Sequence, residues 1–136
     1  MPTFNRRHDQ AIDKATAVIA AQCLASGVEV GQVATGSRMT SEFSLGYVWG
    51  VCEGIHQAYD SPLSKESFAA IAIVYLNVYG NLLGADSCGR ALRLQESPIG
   101  DFGEGLMLGK TEATAFLQGG EKSAPMGLAE YLGPAR

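Results

Sequence analysis

The stretch Phe43-Ser44-Leu45-Gly46-Tyr47-Val48-Trp49-Gly50-Val51-Cys52-Glu53-Gly54 sets glycine at every fourth position of an otherwise apolar segment. A second stretch repeats the pattern in register 59 positions later, as Phe102, Gly105, Gly109, Glu112 and Ala113. Glycine inside a helix costs about 1 kcal/mol per site relative to alanine. A row of glycines therefore points to another backbone at very close range, because missing Cβ atoms let helix axes approach below the usual separation of roughly 8–10 Å. The ladder Gly46, Gly50, Gly54 and its counterpart Gly105, Gly109 are expected to be interface positions. Two seats fit them: another helix of the same chain, or a second copy across a twofold axis. Such ladders are best known from membrane helices, but Glu53, Glu104, Lys110 and Glu112 argue against that setting.

Outward from the ladder, helix signals dominate. A single helical domain over residues 1–136 is expected, with helices at about 9–26, 38–59, 62–83, 101–117 and 125–132. A bent extension of the third covers about 87–95. Gly27 stops the first helix, and a loop from Val28 to Gly36 is the one place for a short strand. Ser61-Pro62 opens the third helix as N-cap and first helical residue. Asp101-Phe102-Gly103-Glu104 reads as a capping box. The apolar stripe Leu128, Tyr131, Leu132 of the last helix must dock on something. The 59-residue offset also lays Ala11-Ile12 over Ala70-Ile71. The fold expected is an all-α four-helix bundle, built as two pseudo-symmetric helix hairpins, with a short C-terminal helix.

A net charge of −4 and a pI near 5.1 disfavour nucleic acid and anionic membranes as partners, since both want a basic face. The most apolar run, Phe68 to Leu83, is shorter than the roughly 20 residues that span a bilayer. Asn77 and Asn81 interrupt it, so a central buried helix is expected. The start, Met1 to Asp13, is polar and shows no secretory pattern. Three widely spaced cysteines, Cys23, Cys52 and Cys88, make no disulfide framework. Reduced thiols and a cytoplasmic location are the expectation.

Candidate chemistry gathers on helix two. Glu53-Gly54-Ile55-His56 is a Glu-x-x-His unit, but di-iron bundles need two such units and the counterpart of His56 is Ala115. Cys52 and His56, four apart, could offer two zinc ligands from one helix, with Cys23 and Cys88 completing the set. The plain alternative is three buried thiols acting as small apolar groups. Glu53 and Glu112 are the carboxylates the repeat singles out; if close, they suit acid–base work or a cation. Asn77 and Asn81, one turn apart, fit a register-fixing role or a polar pocket. Trp49 fits the core or a partner contact. Gly103 and Gly105 follow no strand, so they make no phosphate loop.

Gly46-Tyr47-Val48-Trp49-Gly50-Val51, followed by a helix, resembles a segment of small helical immunity proteins from bacterial toxin systems. The resemblance covers a short part of the chain and implies an inhibitor that binds a partner protein. The cysteines that would form a disulfide in that family are absent here.

The function expected is that of a small non-enzymatic interaction or scaffold protein, homodimeric through the ladders. The alternative is a bundle holding a small ligand or metal between helices two, three and four, as a binding protein or an enzyme. A toxin-immunity-type inhibitor is the third. Ligand-binding candidates are Glu53, His56, Gln57, Asn77, Asn81 and Glu112, with Cys52 and His56 for a metal. No cofactor is expected.

Overall fold

A computed structural model describes residues 6–59, 64–119 and 124–134. The chain runs through α1 (Arg6–Ala25), a 3-10 turn (Arg38–Thr40), α2 (Glu42–Ala58), α3 (Lys65–Leu94), α4 (Gly100–Gly119) and α5 (Gly127–Leu132). The fold is an all-α bundle, with no strand among the described residues. Val28 to Gly36 is loop.

Local chemistry sets the helix ends. Gly27 adopts a positive φ of 73° just past α1, which a Cβ would oppose. Ser41 caps α2, its hydroxyl accepting the Ser44 amide at 3.4 Å, and Ser64 caps α3 by accepting from the Ser67 amide at 3.3 Å. The expected cap at Ser61-Pro62 lies outside the described residues. Asp101 sits inside the first turn of α4 rather than at its cap. There its carboxylate still favours the positive helix end.

α3 is two limbs joined at a sharp bend. Gly80 stands at φ 91°, ψ 173°, outside helical space. Beyond it the chain doubles back so far that a Cβ on Gly84 would lie 2.8 Å from the Cα of Leu76. A straight helix would hold those residues about 12 Å apart. The bend releases the carbonyl of Val78, which accepts the Gly31 amide at 2.8 Å. A Cβ on Gly80 would lie 2.1 Å from the Gly31 oxygen, so the 28–36 loop is seated in the bend. The bend expected between the helix at about 62–83 and its extension at about 87–95 thus comes earlier, at Gly80. By length and composition α3 could cross a membrane, but each limb spans only about 22 Å against a hydrocarbon core of roughly 30 Å.

The two ladders pack on each other within the chain. A Cβ on Gly46 would lie 2.1 Å from the Phe102 oxygen, and one on Gly105 would lie 2.1 Å from the Phe43 oxygen. One rung on, Gly50 faces the Leu106 oxygen at 2.1 Å and Gly109 faces the Tyr47 oxygen at 2.3 Å. Each contact is the other displaced by the 59-residue offset, so α2 and α4 form a parallel pair about a local twofold. The spacing suits Cα–H···O contacts between backbones. At the third rung Ala113 replaces glycine, and Gly54 has more room, 3.1 Å from the Lys110 oxygen. Gly46, Gly50, Gly54, Gly105 and Gly109 are thus interface positions inside one chain, and neither ladder is left open for a second copy.

The symmetry stops at this pair. α1 and α3 begin 59 positions apart, at Arg6 and Lys65, and their buried rows correspond: Ala11, Ile12, Ala15 and Ile19 against Ala70, Ile71, Val74 and Val78. Yet both pack on α2 instead of one on each partner, while α4 leans chiefly on α2 and α5 and meets α1 where Lys14 lies over the Phe116 ring at 5.4 Å. Equal hairpins are therefore not formed. α1 and the first limb of α3 run antiparallel to α2. His8 meets His56 and Gln22 meets Tyr47; Phe68 meets Trp49, and Tyr75 bonds the Leu45 oxygen. α2 is the central helix, with Leu45, Tyr47, Val48, Val51, Cys52 and Ile55 fully buried.

Candidate functional site

Glu112 organises a polar network where α5 docks. It accepts from the Tyr47 hydroxyl at 2.5 Å and from the Gly127 amide at 2.9 Å. Gln22 donates to the Tyr47 oxygen at 2.9 Å, and its own carbonyl accepts the Leu128 and Ala129 amides at 2.9 and 3.0 Å. Three first-turn amides of α5, which have no partner within their own helix, are thereby satisfied by side chains of α1 and α4. Burial, and then the carboxylate of Glu112, push the Tyr47 phenol far above its ordinary range, so it acts as a fixed donor. Leu128 is fully buried and Tyr131 stacks on Phe43 at 4.3 Å, which gives the expected stripe its dock. Gln22 and Tyr47 are absent from the sequence-based candidates: neither lies near Glu112 in the chain.

The other carboxylate pairs elsewhere. Glu53 accepts from Lys110 across the α2/α4 seam at 2.9 Å. Each carboxylate has its own partner, and the acid–base pair expected of Glu53 and Glu112 has no support here.

His56 is buried beside His8, ring centroids 5.7 Å apart. Its Nδ1 lies 2.9 Å from the Cys52 carbonyl, which can only accept, so Nδ1 carries the proton in the neutral ring. Nε2 is buried without a hydrogen-bond partner. Burial lowers the His56 pKa; the Cys52 bond opposes this and the neighbouring His8 adds to it. Cys52 is fully buried with its thiol pushed up by desolvation, and Cys23 is raised to about 11 by the same cause. All three cysteines are free. No group of three or more His, Cys, Asp or Glu side chains among the described residues is placed to hold a metal ion. The Cys52–His56 spacing is met instead by the turn in which His56 bonds the Cys52 carbonyl.

Asn77 and Asn81 are exposed, contrary to the buried role expected of them. They flank the bend at Gly80, and Asn77 donates to Thr16 at 3.3 Å. Gln57 is exposed at the mouth of a cleft of about 490 Å³ between the C-terminal ends of α2 and α4, with Gly54, Tyr59, Thr114, Leu117 and Gln118. Of the six ligand-binding candidates only Gln57 lines it. The structure does not bring the set together.

The outer face of α4 is the feature that the sequence-based candidates omit. Ile99 is 77% exposed and Met107 65% exposed. With Pro98, Gly103, Leu108 and Thr111 they line a shallow depression of about 630 Å³ in which Glu104 is the only charged residue among those described. The row Ile99, Gly103, Met107, Thr111 repeats every fourth residue, a period that was legible in the sequence but masked by the neighbouring glycine ladder. Under the 59-residue offset its counterpart is Thr40 of the 3-10 turn with Ser44, Val48 and Cys52 of α2, of which the last three are fully buried. No family model, curated protein or solved structure matches the chain.

Proposed function

We propose that this chain works by binding another protein, as a small non-enzymatic interaction module, and that the outer face of α4 is its docking surface. The supporting observation is the exposure of Ile99, just before an edge helix, and of Met107, about two turns along it, around one depression nearly free of charge. An edge helix that faced only water would carry polar groups on this side, and a joined apolar patch is the usual mark of an interaction site. The homodimer expected through the ladders moves to this face, where a second copy is one possible occupant. An inhibitor of the toxin-immunity type falls in the same class. The segment carrying that resemblance, Gly46 to Val51, is buried within the chain, Gly46, Tyr47 and Gly50 against α4 and Trp49 against Phe68 of α3.

A photo-crosslinking residue in place of Met107, compared with one in place of the still more open Leu82, tests the reading in cells of the source organism. A discrete protein adduct at position 107 and none at 82 is the expected result. Equal labelling at both positions, or none at 107, overturns it.

A further inference from the structure

We infer that a hollow between α1 and α4 binds a small monocarboxylate with an apolar body, one ring and a short chain in size, its carboxylate meeting Lys14. The site is separate from the docking face and adds a ligand to the interaction module.

Lys14, Ala17, Val18 and Ala21 follow the i, i+3, i+4, i+7 spacing of one face of α1. This face meets α4 where the Lys14 ammonium lies over the Phe116 ring at 5.4 Å. Farther along, α5 fills the furrow between the two helices. Gln22 of α1 holds the Leu128 and Ala129 amides, Ser26 donates to the Ala129 carbonyl at 3.3 Å, and Glu112 of α4 holds the Gly127 amide. α5 begins only at Gly127. What it leaves open is a hollow of about 220 Å³, lined by Lys14, Ala17, Val18, Ala21, Phe116 and Pro125. Ala17 and Ala21 stay exposed on its wall, since neither side chain is long enough to reach across.

Size and charge choose the ligand. An apolar cavity of about 150 Å³ accepts benzene, so this hollow has room for a ring and about four further atoms. Lys14 is the only charged residue among those described that line it. It makes no ion pair among the described residues, and the Phe116 ring leaves its charge unneutralised. A carboxylate there gains a charge-assisted hydrogen bond at the rim, while the apolar body covers Val18 and Phe116. Asp13 stands on the far side of Lys14, in an adjoining hollow with Gln10 and Tyr59. It disfavours a second negative charge on the ligand.

The test follows the backbone amides of the whole isotope-labelled protein as phenylacetate is added. Saturable shifts centred on Ala17, Ala21 and Phe116, with a Kd below about 1 mM, are the expected result. Neutral phenylacetamide should bind at least about tenfold more weakly, and doubly charged phenylsuccinate should also bind more weakly. Lys14→Met keeps an apolar stem without the charge and should make acid and amide bind alike. Ala21→Leu should fill the hollow and remove binding of both, with the melting temperature unchanged because the position is exposed. Shifts centred on Met107, or shifts that never saturate, overturn the inference. So does equal binding of acid and amide, or of phenylacetate and phenylsuccinate, by the wild type. Undiminished phenylacetate binding by Lys14→Met or by Ala21→Leu overturns it as well. The crosslinking result at position 107 judges the docking face separately.

Discussion

The phenol of Tyr47 on α2 donates to the carboxylate of Glu112 on α4 at 2.5 Å, and the same carboxylate holds the first amide of α5. Tyr47→Phe removes one bond from Glu112 and strands one N–H of the Gln22 amide, which keeps a long bond to the Val18 carbonyl at 3.5 Å. A buried polar group so stranded costs about 1–3 kcal/mol. The amides of Gly127–Leu132 are then expected to exchange with solvent about tenfold faster or more, the equivalent of 1.4 kcal/mol in local opening. Hydrogen-exchange mass spectrometry reads this directly. Unchanged exchange would mean that Leu128 and Tyr131 hold α5 by themselves.

The ladder should respond in graded fashion. Gly50→Ala and Gly109→Ala put a methyl group within 2.1 and 2.3 Å of carbonyl oxygens that belong to the facing backbone. Helix propensity gains about 1 kcal/mol in each, but forcing two backbones apart should outweigh it, for a net loss of about 2 kcal/mol or more. Gly54→Ala meets its nearest atom at 3.1 Å and should lie within about 1 kcal/mol of wild type. The double variant Gly50→Ala/Gly109→Ala should lose less than the sum, because one opening of the seam relieves both clashes. Urea unfolding of the four proteins checks the order.

Gly80→Ala meets two obstacles, a φ of 91° and the Gly31 oxygen at 2.1 Å. Gly36, at φ 80°, has the strain without the neighbour. Strain alone costs about 1–2 kcal/mol, so Gly36→Ala measures that part and Gly80→Ala should exceed it clearly. Chemical denaturation of both gives the comparison. Equal losses would mean that the 28–36 loop yields at little cost.

Acid should weaken the fold through His56. Its folded pKa is lowered from 6.5, chiefly by burial, so the unfolded chain takes up the proton first. The stability His56 contributes is fully present above 6.5 and is lost as pH falls from there through the lowered folded value. His56→Gln keeps a donor for the Cys52 carbonyl but cannot titrate. Its unfolding free energy should fall less steeply than that of wild type between about pH 7 and about pH 5. Parallel slopes would place the acid sensitivity elsewhere.

Much of the fold was legible because its signals are local or periodic. Gly27, the apolar rows of α1 and α3, and the glycine spacing each report on a neighbouring turn or a repeating face. The bend at Gly80 was misplaced because its cause is the Gly31 loop, distant in the chain and silent about where it lands. Asn77 and Asn81 were read as buried from the company they keep in sequence, but Asn77 stands on the exposed side of the first limb, bonded to Thr16, and Asn81 is exposed just past the bend. The repeat revealed that α2 and α4 correspond, but not that α4 would stand at the edge, since that depends on where α1 and α3 settle. The polar network escaped notice for the same reason: Gln22, Tyr47 and Glu112 come from three separate helices.

A parallel pair also has consequences for assembly order. Two helices that point the same way cannot be joined by a tight turn, and here both limbs of α3 intervene. Every contact along the glycine seam is distant in sequence, of the kind that closes slowly. During synthesis α2 emerges with its groove bare and waits for all of α3 and then α4 before the groove is filled. Nascent chains that stop short of Ala113 carry an unfilled strip of backbone, and the later-made α4 decides whether the earlier α2 is protected from aggregation.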